Sequence, residues 1–285
     1  HGREHLPESP HLQYYLKNGG MLNLQTKRGC PFRCIYCTYP HIEGRKLRLI
    51  SPGAAAEDAL RLQRVGAKYF FVTDSVFNSD TDHSMAVAEA FIDAGIKIPW
   101  GAFFAPMDSP KGYFELMARA GLTHAEFGTE SMCNEMLKNY GKPFRTTDVY
   151  NAHKAAILSG LYVSHFFLLG GPGENEDSID ETLKNIENLK QSVFFFFPAL
   201  RIYPHTDLYD MAVAERQIST ITPLLEPCFY ASLKISRDEI LERLEKHAKK
   251  RPNWVIGSGG EATAGIVARL YERGHSGPLW EYLIP

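Results

Sequence analysis

Short runs of β-branched and aromatic residues alternate with longer runs of helical period over most of this chain, from residue 21 to residue 203. Several of the short runs are almost continuously apolar, as expected for strands that are buried on both faces. Repeated strand–helix units of this kind predict a parallel sheet with helices packed against it. Six candidate strands cover residues 21–26, 67–74, 97–104, 122–128, 161–170 and 193–203.

The helices between these strands carry start and stop signals. Capping residues and prolines predict helix starts at Ser51-Pro52, at Asp80 or Thr81, and at Ser109-Pro110. Glycines predict the helix ends, because a left-handed residue closes a helix most easily when it has no side chain. These glycines are Gly66, Gly95, Gly121 and Gly160. Two charged helices are predicted later, over residues 175–190 and 237–250.

Six strand–helix units within about 180 residues are too few to close an eight-stranded barrel. No phosphate-binding fingerprint follows the first strand, as a dinucleotide-binding fold would require. We therefore predict an α/β fold, a partial (β/α)6 TIM-like barrel, over residues 21–206. A leader over residues 1–20 precedes it. Residues 207–285 are predicted to form a C-terminal cap, in which Trp254, Trp280 and Tyr282 either close the barrel or meet a partner.

The composition excludes several classes of protein. Lys and Arg number 31 against 33 Asp and Glu, a net charge of −2, so nucleic acid is not the expected partner. The longest nearly unbroken apolar run, residues 193–200, is too short for a transmembrane segment. Three of the five cysteines are clustered, which favours a reducing, cytoplasmic location over a disulfide framework. Because the chain begins at His1, we expect further residues upstream.

The strongest chemical signal is a cysteine motif directly after the first strand. Cys30, Cys34 and Cys37 have the spacing C-x3-C-x2-C, in the type of loop where a βα barrel places its catalytic groups. Thiolates are soft ligands that suit an iron–sulfur cluster or zinc. A zinc-stabilised binding module is the alternative, and its fourth ligand would have to be Cys133, Cys228 or His41, since no second C-x2-C pair is present.

The cysteine motif, with Tyr36 as the aromatic residue before its last cysteine, resembles the hallmark of the radical S-adenosylmethionine (SAM) superfamily. The segments 126–131 (EFGTES), 170–174 (GGPGE) and 201–206 (RIYPHT) resemble its cobalamin-associated subgroup, which includes enzymes of lipid and hopanoid biosynthesis. The resemblance implies a [4Fe–4S] cluster on the three cysteines, with SAM bound to the open iron. One electron then cleaves SAM to a 5′-deoxyadenosyl radical, which abstracts hydrogen from a substrate.

The same resemblance suggests ligands for SAM. Asp74, at the end of the second strand, matches a residue that contacts the methionyl amino group, although a turn cap is an equal alternative. Glu130 matches the ribose ligand, because a carboxylate can accept from both ribose hydroxyls. Ser131 either joins it or caps the following helix. Lys142 matches a common family lysine, although a solvated surface lysine is the more frequent situation.

Further residues match the family less sharply. Gly171 lies in a turn that brings backbone close to adenine, or in a simple strand-to-helix corner. Arg201 could bind a carboxylate of SAM or substrate or form an ion pair at the barrel rim. His205 replaces the glycine usual in its segment. The catalytic candidates are Arg201, Tyr203 and His165, and for His165 a position in the packed core is favoured.

The resemblance also bears on cofactors and partners. If cobalamin is bound, it implies a methyltransferase acting on an unactivated carbon, with a cobalamin-binding domain upstream of His1, because the D-x-H-x-x-G signature is absent from this chain. The predicted substrate is small or lipid-like, and the electron donor is a protein such as flavodoxin or ferredoxin. An RNA-modifying radical SAM enzyme is an alternative supported only by the basic run at residues 246–251.

Overall fold

The computed structural model describes residues 9–257 and 260–285, and for residues 260–263 it describes the backbone alone. Residues 1–8 of the predicted leader lie outside the described residues, and its second part contains a short helix. The strands are β1 (Met21–Leu24), β2 (Lys27–Arg28), β3 (Arg48–Leu49), β4 (Tyr69–Val72), β5 (Trp100–Phe104), β6 (Leu122–Glu130), β7 (Tyr162–Leu168), β8 (Ser192–Phe197), β9 (Leu200–Arg201), β10 (Phe229–Tyr230) and β11 (Trp254–Ile256).

The helices are α1 (Pro10–Lys17), α2 (Tyr39–Ile42), α3 (Pro52–Arg64), α4 (Thr81–Asp93), α5 (Tyr113–Arg119), α6 (Asn134–Asn139), α7 (Thr146–Leu158), α8 (Glu176–Ile186), α9 (Asp207–Ala214), α10 (Arg237–Ala248) and α11 (Gly260–Glu272). Short 3₁₀ turns cover Phe77–Ser79 and Trp280–Leu283. Within the described ranges, none of the helices combines the length and apolarity that a membrane crossing requires.

Seven parallel strands form one sheet in the order β1-β4-β5-β6-β7-β8-β11. Helices connect the successive strands, so the carboxyl ends of all seven strands lie at the same edge of the sheet. This confirms the predicted α/β partial barrel. Two short antiparallel ribbons, β2 with β3 and β9 with β10, lie beside the sheet.

All six predicted strands are present, with two differences at the end of the series. The predicted run over residues 193–203 is wrong beyond Phe197, because Pro198 has no N–H to continue the ladder. The short β9 that follows pairs with β10 instead of the main sheet. The seventh strand, β11, comes from the region predicted as a cap and was missed, since three residues carry no periodic signal.

The helix signals are largely confirmed. Ser51 and Asp80 accept hydrogen bonds from the first turns of α3 and α4. The four predicted stop glycines all have positive φ. The predicted start at Ser109-Pro110 is wrong, because α5 begins at Tyr113 after Gly112, whose φ is +82°.

Alternate residues of the strands face opposite sides of the sheet. One side packs against the helices, where Trp100 is fully buried among Phe70, Phe77 and Phe91, with ring centroids 5.4 to 6.1 Å from its own. Burial of each such ring stabilises the fold by about 2–3 kcal/mol. The residues in between point to the inner side, which we call the lumen. Its aromatic wall is formed by Phe71, Phe103, Phe166, Phe195 and Phe197.

The C-terminal 3₁₀ turn packs against the lumen at the amino-terminal half of β6. Trp280 Nε1 donates to Glu126 Oε1 over 2.9 Å, and His124 Nε2 lies 3.0 Å from Glu281 Oε2. Burial raises the pKa of Glu126 to about 7, although the hydrogen bond from Trp280 lowers it. Trp280 is buried against β6, as expected if this residue closes the barrel instead of meeting a partner.

We expect Glu126→Gln to stabilise the protein more at pH 8 than at pH 5. The carboxyl pKa is 4.5 when unperturbed and about 7 in the folded protein, so the unfolded chain loses its proton first as pH rises. As the pH rises from 4.5 to 7, the folded wild type therefore loses up to about 3 kcal/mol of stability, and the loss persists above pH 7. Urea unfolding of both proteins from pH 5 to pH 8 measures the difference, with Glu242→Gln on exposed α10 as control. If the free energy of unfolding depends on pH in the same way in the variant and the wild type, the carboxyl group of Glu126 does not have a raised pKa in the folded protein.

Candidate functional site

The cysteine loop lies at the carboxyl edge of the sheet, between the β2 and β3 ribbon strands and next to β6. Cys30, Cys34 and Cys37 are free thiols that line one cavity of about 270 Å³. Cys30 is buried and the other two are half-buried. Burial raises the pKa of the Cys30 and Cys37 thiols, although the positive charge of Lys142 acts to lower it. The cysteines that the sequence predicted are thus brought together.

Backbone contacts fix the shape of this loop. Ile35 N donates to Tyr140 O over 3.1 Å, and Leu208 N donates to Ile35 O over 2.9 Å. Gly141 has a φ of +70°, and a Cβ there would collide with the carbonyl oxygen of Arg33. The loop is therefore held against the segment after α6 by a close approach that only glycine permits without a shift.

A carboxylate, an ammonium and a phenol form the polar wall of the cavity. Glu130 Oε1 accepts from Tyr36 Oη over 2.8 Å and from Lys142 Nζ over 2.9 Å. The ammonium also lies over the Tyr36 ring, 5.3 Å from its centroid. Burial raises the pKa of Tyr36 well above its usual value. Burial acts to lower the pKa of Lys142, but the charge of Glu130 and of nearby thiols raises it overall.

The backbone of Glu130 is unusual. Its φ is +64°, a left-handed conformation that a residue with a side chain rarely adopts, and the register between β6 and β7 shifts between Gly128 and Glu130. This end of the strand aims the carboxylate into the cavity. Its second oxygen, Oε2, makes no hydrogen bond with any described residue, which leaves an acceptor facing the cavity.

The structure turns Asp74 away from the cavity. Its carboxylate accepts from the Thr26 and Lys27 backbone N–H groups, from the Thr26 hydroxyl, and from Lys27 Nζ over 3.0 Å. This position does not support the predicted contact with the methionyl amino group of SAM. The carboxylate oxygens of Asp74 already accept hydrogen bonds from the Thr26–Lys27 turn and from the Lys27 ammonium. The alternative prediction of a turn cap fits better.

Ser75 faces the cavity in place of Asp74. Its hydroxyl is buried and has no hydrogen-bond partner among the described residues. Strand alternation explains the exchange, because adjacent residues point to opposite sides of a sheet. The sequence carried a weak signal for Ser75, a hydroxyl directly after a strand.

Two other predicted SAM ligands, Ser131 and Gly171, do not line the cavity. Ser131 Oγ lies 2.9 Å from Thr182 Oγ1 and accepts from Cys133 N, so it joins β6 to α8. A Cβ at Gly171 would collide with the Tyr140 ring. In this structure both residues contact other parts of the protein instead of the cavity. That they bind SAM stays a prediction.

The three catalytic candidates also lie outside the cavity lining. The Arg201 guanidinium stacks on the Tyr203 ring at 4.8 Å, and its Nε is buried without a described partner. His165 is fully buried on the helix side of β7, between Thr129 Oγ1 at 2.7 Å and His153 Nδ1 at 3.1 Å. Burial lowers the pKa of His165 well below its usual value. Its position matches the favoured alternative of a core histidine.

The donor set fits an iron–sulfur cluster better than zinc. None of the three candidates for a fourth zinc ligand, Cys133, Cys228 and His41, lines the cavity. In the part of the chain that is described, no three His, Cys, Asp or Glu side chains converge on a single metal ion. Three thiols around a wider cavity are what a cubane with three protein-bound irons requires, because each thiolate binds a different iron.

Comparisons with known proteins agree with this geometry. The chain is 31% identical over 180 residues to cytidylyl-2-hydroxyethylphosphonate methyltransferase of Streptomyces wedmorensis, an alignment covering 60% of this chain and 33% of that protein. It is 28% identical over 168 residues to hopanoid C-3 methylase of Methylococcus capsulatus, covering 56% and 32%. The chain thus spans about a third of the length of these two relatives.

A solved structure has the same fold over nearly the whole chain. The radical S-adenosylmethionine methyltransferase TsrM from Kitasatospora setae superposes with a TM-score of 0.83 at 16% identity, covering 99% of this chain and 64% of that one. A second structure of that protein contains cobalamin and a [4Fe–4S] cluster, again with a TM-score of 0.83. The family model of the radical SAM superfamily matches residues 24–186, more than half of the 285 residues. The chain therefore belongs to the radical SAM superfamily.

Proposed function

We propose that this protein cleaves SAM reductively and uses the resulting radical on a substrate C–H bond. The observation that carries the proposal is the convergence of Cys30, Cys34 and Cys37 with the Glu130 carboxylate on one cavity. When bound, a [4Fe–4S] cluster supplies one electron to the sulfonium of SAM, which gives methionine and a 5′-deoxyadenosyl radical. The three thiolates would hold this cluster and leave one iron open for SAM.

The remaining cavity residues bind and orient SAM. Glu130 Oε2 is placed to accept from the ribose hydroxyls, while Tyr36 and Lys142 hold Oε1 in position. The Ser75 hydroxyl binds the methionyl amino or carboxylate group of SAM, the role that the sequence analysis predicted for Asp74. The aromatic walls of the cavity exclude water, which protects a radical from quenching.

We further propose a cobalamin-dependent methyltransferase. The support is the likeness to two relatives named as a methyltransferase and a methylase, and to a solved structure that contains cobalamin. No residue of the present chain is assigned to cobalamin, and a cobalamin-binding domain upstream of His1 remains part of the proposal. In this scheme the radical abstracts hydrogen from an unactivated carbon, and methylcobalamin, when bound, would supply the methyl group to the resulting carbon radical by homolysis of its cobalt–carbon bond.

Other parts of the proposal rest on chemistry. The substrate is a small or lipid-like molecule, because the cavity walls are mainly apolar. An external one-electron donor such as flavodoxin or ferredoxin reduces the cluster. A cytoplasmic location suits free thiols and an oxygen-sensitive cluster. The RNA-modifying alternative gains no support, since Arg251 and His247 of the basic run both contact Trp254.

Loss of one cluster thiol should abolish SAM cleavage. After anaerobic reconstitution, we expect the wild type to bind about four irons per chain and to form 5′-deoxyadenosine from SAM on reduction with dithionite. Cys34→Ala should form none, because one iron of the cluster loses its thiolate. Cys228→Ala, which removes a half-buried thiol outside the cavity, is the matched control. A colourless protein that holds zinc and leaves SAM intact would reject the proposal.

Replacing Glu130 by glutamine should weaken SAM binding by about tenfold or more, because a charge-assisted hydrogen bond contributes roughly 1.5–3 kcal/mol. The amide also removes the negative charge that Lys142 neutralises. Equilibrium binding of SAM to the reconstituted protein measures the change. Glu135→Gln on exposed α6 should bind SAM as the wild type does. Unchanged affinity in Glu130→Gln would remove Glu130 from the ribose site.

The cobalamin proposal has its own measurement. We expect the complete gene product, incubated with hydroxocobalamin and desalted, to retain corrinoid absorbance. Methylated product should then form only when cobalamin and SAM are both present. Protein that cleaves SAM but retains no corrinoid would restrict the function to hydrogen abstraction.

A further inference from the structure

The inner face of the barrel carries a continuous aromatic wall next to the thiol cavity. Phe71 and Phe103 contact each other with ring centroids 4.9 Å apart, and Phe103 lies 6.3 Å from Phe166. Phe166 stacks on Phe195 at 4.9 Å, with an angle of 15° between the planes. Phe103 is 40% exposed, a large value for a phenylalanine on a sheet face. This wall is therefore open to a ligand with a flat apolar surface.

One carboxyl group interrupts the aromatic wall. Glu126 pairs in register with Phe103 on one neighbouring strand and with Ser164 on the other, so all three side chains share the inner face. Trp280 donates to Glu126 Oε1, whereas Oε2 makes no hydrogen bond with a described residue. The Ser164 hydroxyl is fully buried and also has no described partner. The Ser164 hydroxyl is thus a buried group without a described partner, and Glu126 Oε2 at the same level of the lumen is an acceptor that no described residue uses.

Within residues 9–257 and 264–285, no lysine or arginine side chain forms an ion pair with Glu126. The titratable groups around it are His124 on its own strand, Tyr69 on β4 and Glu281 on the C-terminal turn. Burial without a cation raises its pKa to about 7. A buried carboxylate in this state gains from a partner that brings a positive charge or a hydrogen-bond donor.

We infer that the lumen binds a ligand with a flat apolar body and one cationic or hydrogen-bond-donating group, which Glu126 accepts. The inference rests on the proposed function and names the substrate class for the same site. Phe103 and Phe166 line both the aromatic wall and the thiol cavity, and Gly128 lies between them on β6. A ligand on this wall is therefore adjacent to the place where SAM is expected.

The chemistry of Glu126 makes the site selective. A ligand that lacks the donor leaves the carboxyl group unsatisfied, and a ligand with its own carboxylate is repelled by it. The aromatic wall contributes affinity that does not depend on the polar group. Affinity and selectivity are therefore carried by different residues, and variants of these residues separate the two.

A set of naphthalene probes with one substituent tests this inference. The probes are 2-naphthylmethylamine, 2-naphthylmethanol and 2-naphthoate, which share the apolar body and differ in the polar group. Binding to the full chain is measured by isothermal titration calorimetry at pH 8, where Glu126 is mostly ionised. We expect the ammonium to bind about tenfold more tightly than the alcohol, and the carboxylate to bind most weakly.

Two variants assign the effect to its residues. For Glu126→Gln, the dissociation constants of the amine and the alcohol should lie within about twofold of each other. Phe103→Ala should weaken all three probes by a similar factor and keep their order. Glu242→Gln on α10 is the matched control and should retain the wild-type order. If the three probes bind equally, or if Glu126→Gln keeps the preference for the amine, the inference is wrong.

The test is separable from that of the proposed function. The probe titrations need no cluster, whereas SAM cleavage is read as 5′-deoxyadenosine in the reconstituted protein. Failure of the probe order with intact SAM cleavage rejects the inference alone. An intact probe order without SAM cleavage rejects the proposed function and leaves a binding site for this ligand class.

Discussion

The segment from Tyr140 to Lys142 is the constraint on which the candidate site depends. Its first residue accepts the backbone N–H of Ile35, its glycine lets the cysteine loop approach, and its lysine holds Glu130. The Tyr140 hydroxyl also donates to Leu168 O and to Glu174 Oε2, which ties the same segment to the turn after β7. Three neighbouring residues therefore connect the thiol loop, Glu130 and the turn after β7.

This arrangement explains why the glycine-rich turn after β7 matters even though it does not line the cavity. Gly171 permits the close approach of the Tyr140 ring, and Glu174 accepts from both Tyr140 Oη and Gly170 N. Burial raises the pKa of Glu174, although its hydrogen bonds from Ser178, Tyr140 and Gly170 oppose this. The turn positions Tyr140, and Tyr140 positions the thiol loop. Its contribution to the site is thus indirect.

The sequence predicted the parts of the site that depend on motif spacing. Three cysteines in one loop must lie together, and Glu130 at a strand end must lie at the same edge of a parallel sheet as that loop. The sequence could not predict which way Asp74 points, because a difference of one residue at a strand end exchanges the two faces. It also could not place β11 or Trp280, since both are fixed by long-range contacts with β8 and β6. Short elements of this kind have no local signal.

Two carboxyl groups on the inner face of β6 define the two ends of the proposed site. Glu130 and Glu126 are four residues apart on the same strand, a separation of about 13 Å along it. Glu130 has Lys142 as a partner, whereas the described part of the chain offers Glu126 the indole N–H of Trp280 and no cation. Gly128 lies between them without a side chain, in the stretch of wall that Phe103 and Phe166 flank. If Glu130 binds the ribose and Glu126 holds the polar group of a substrate, SAM and the substrate meet along the stretch of wall that contains Gly128. The direction of one strand would then set the orientation of the substrate relative to SAM.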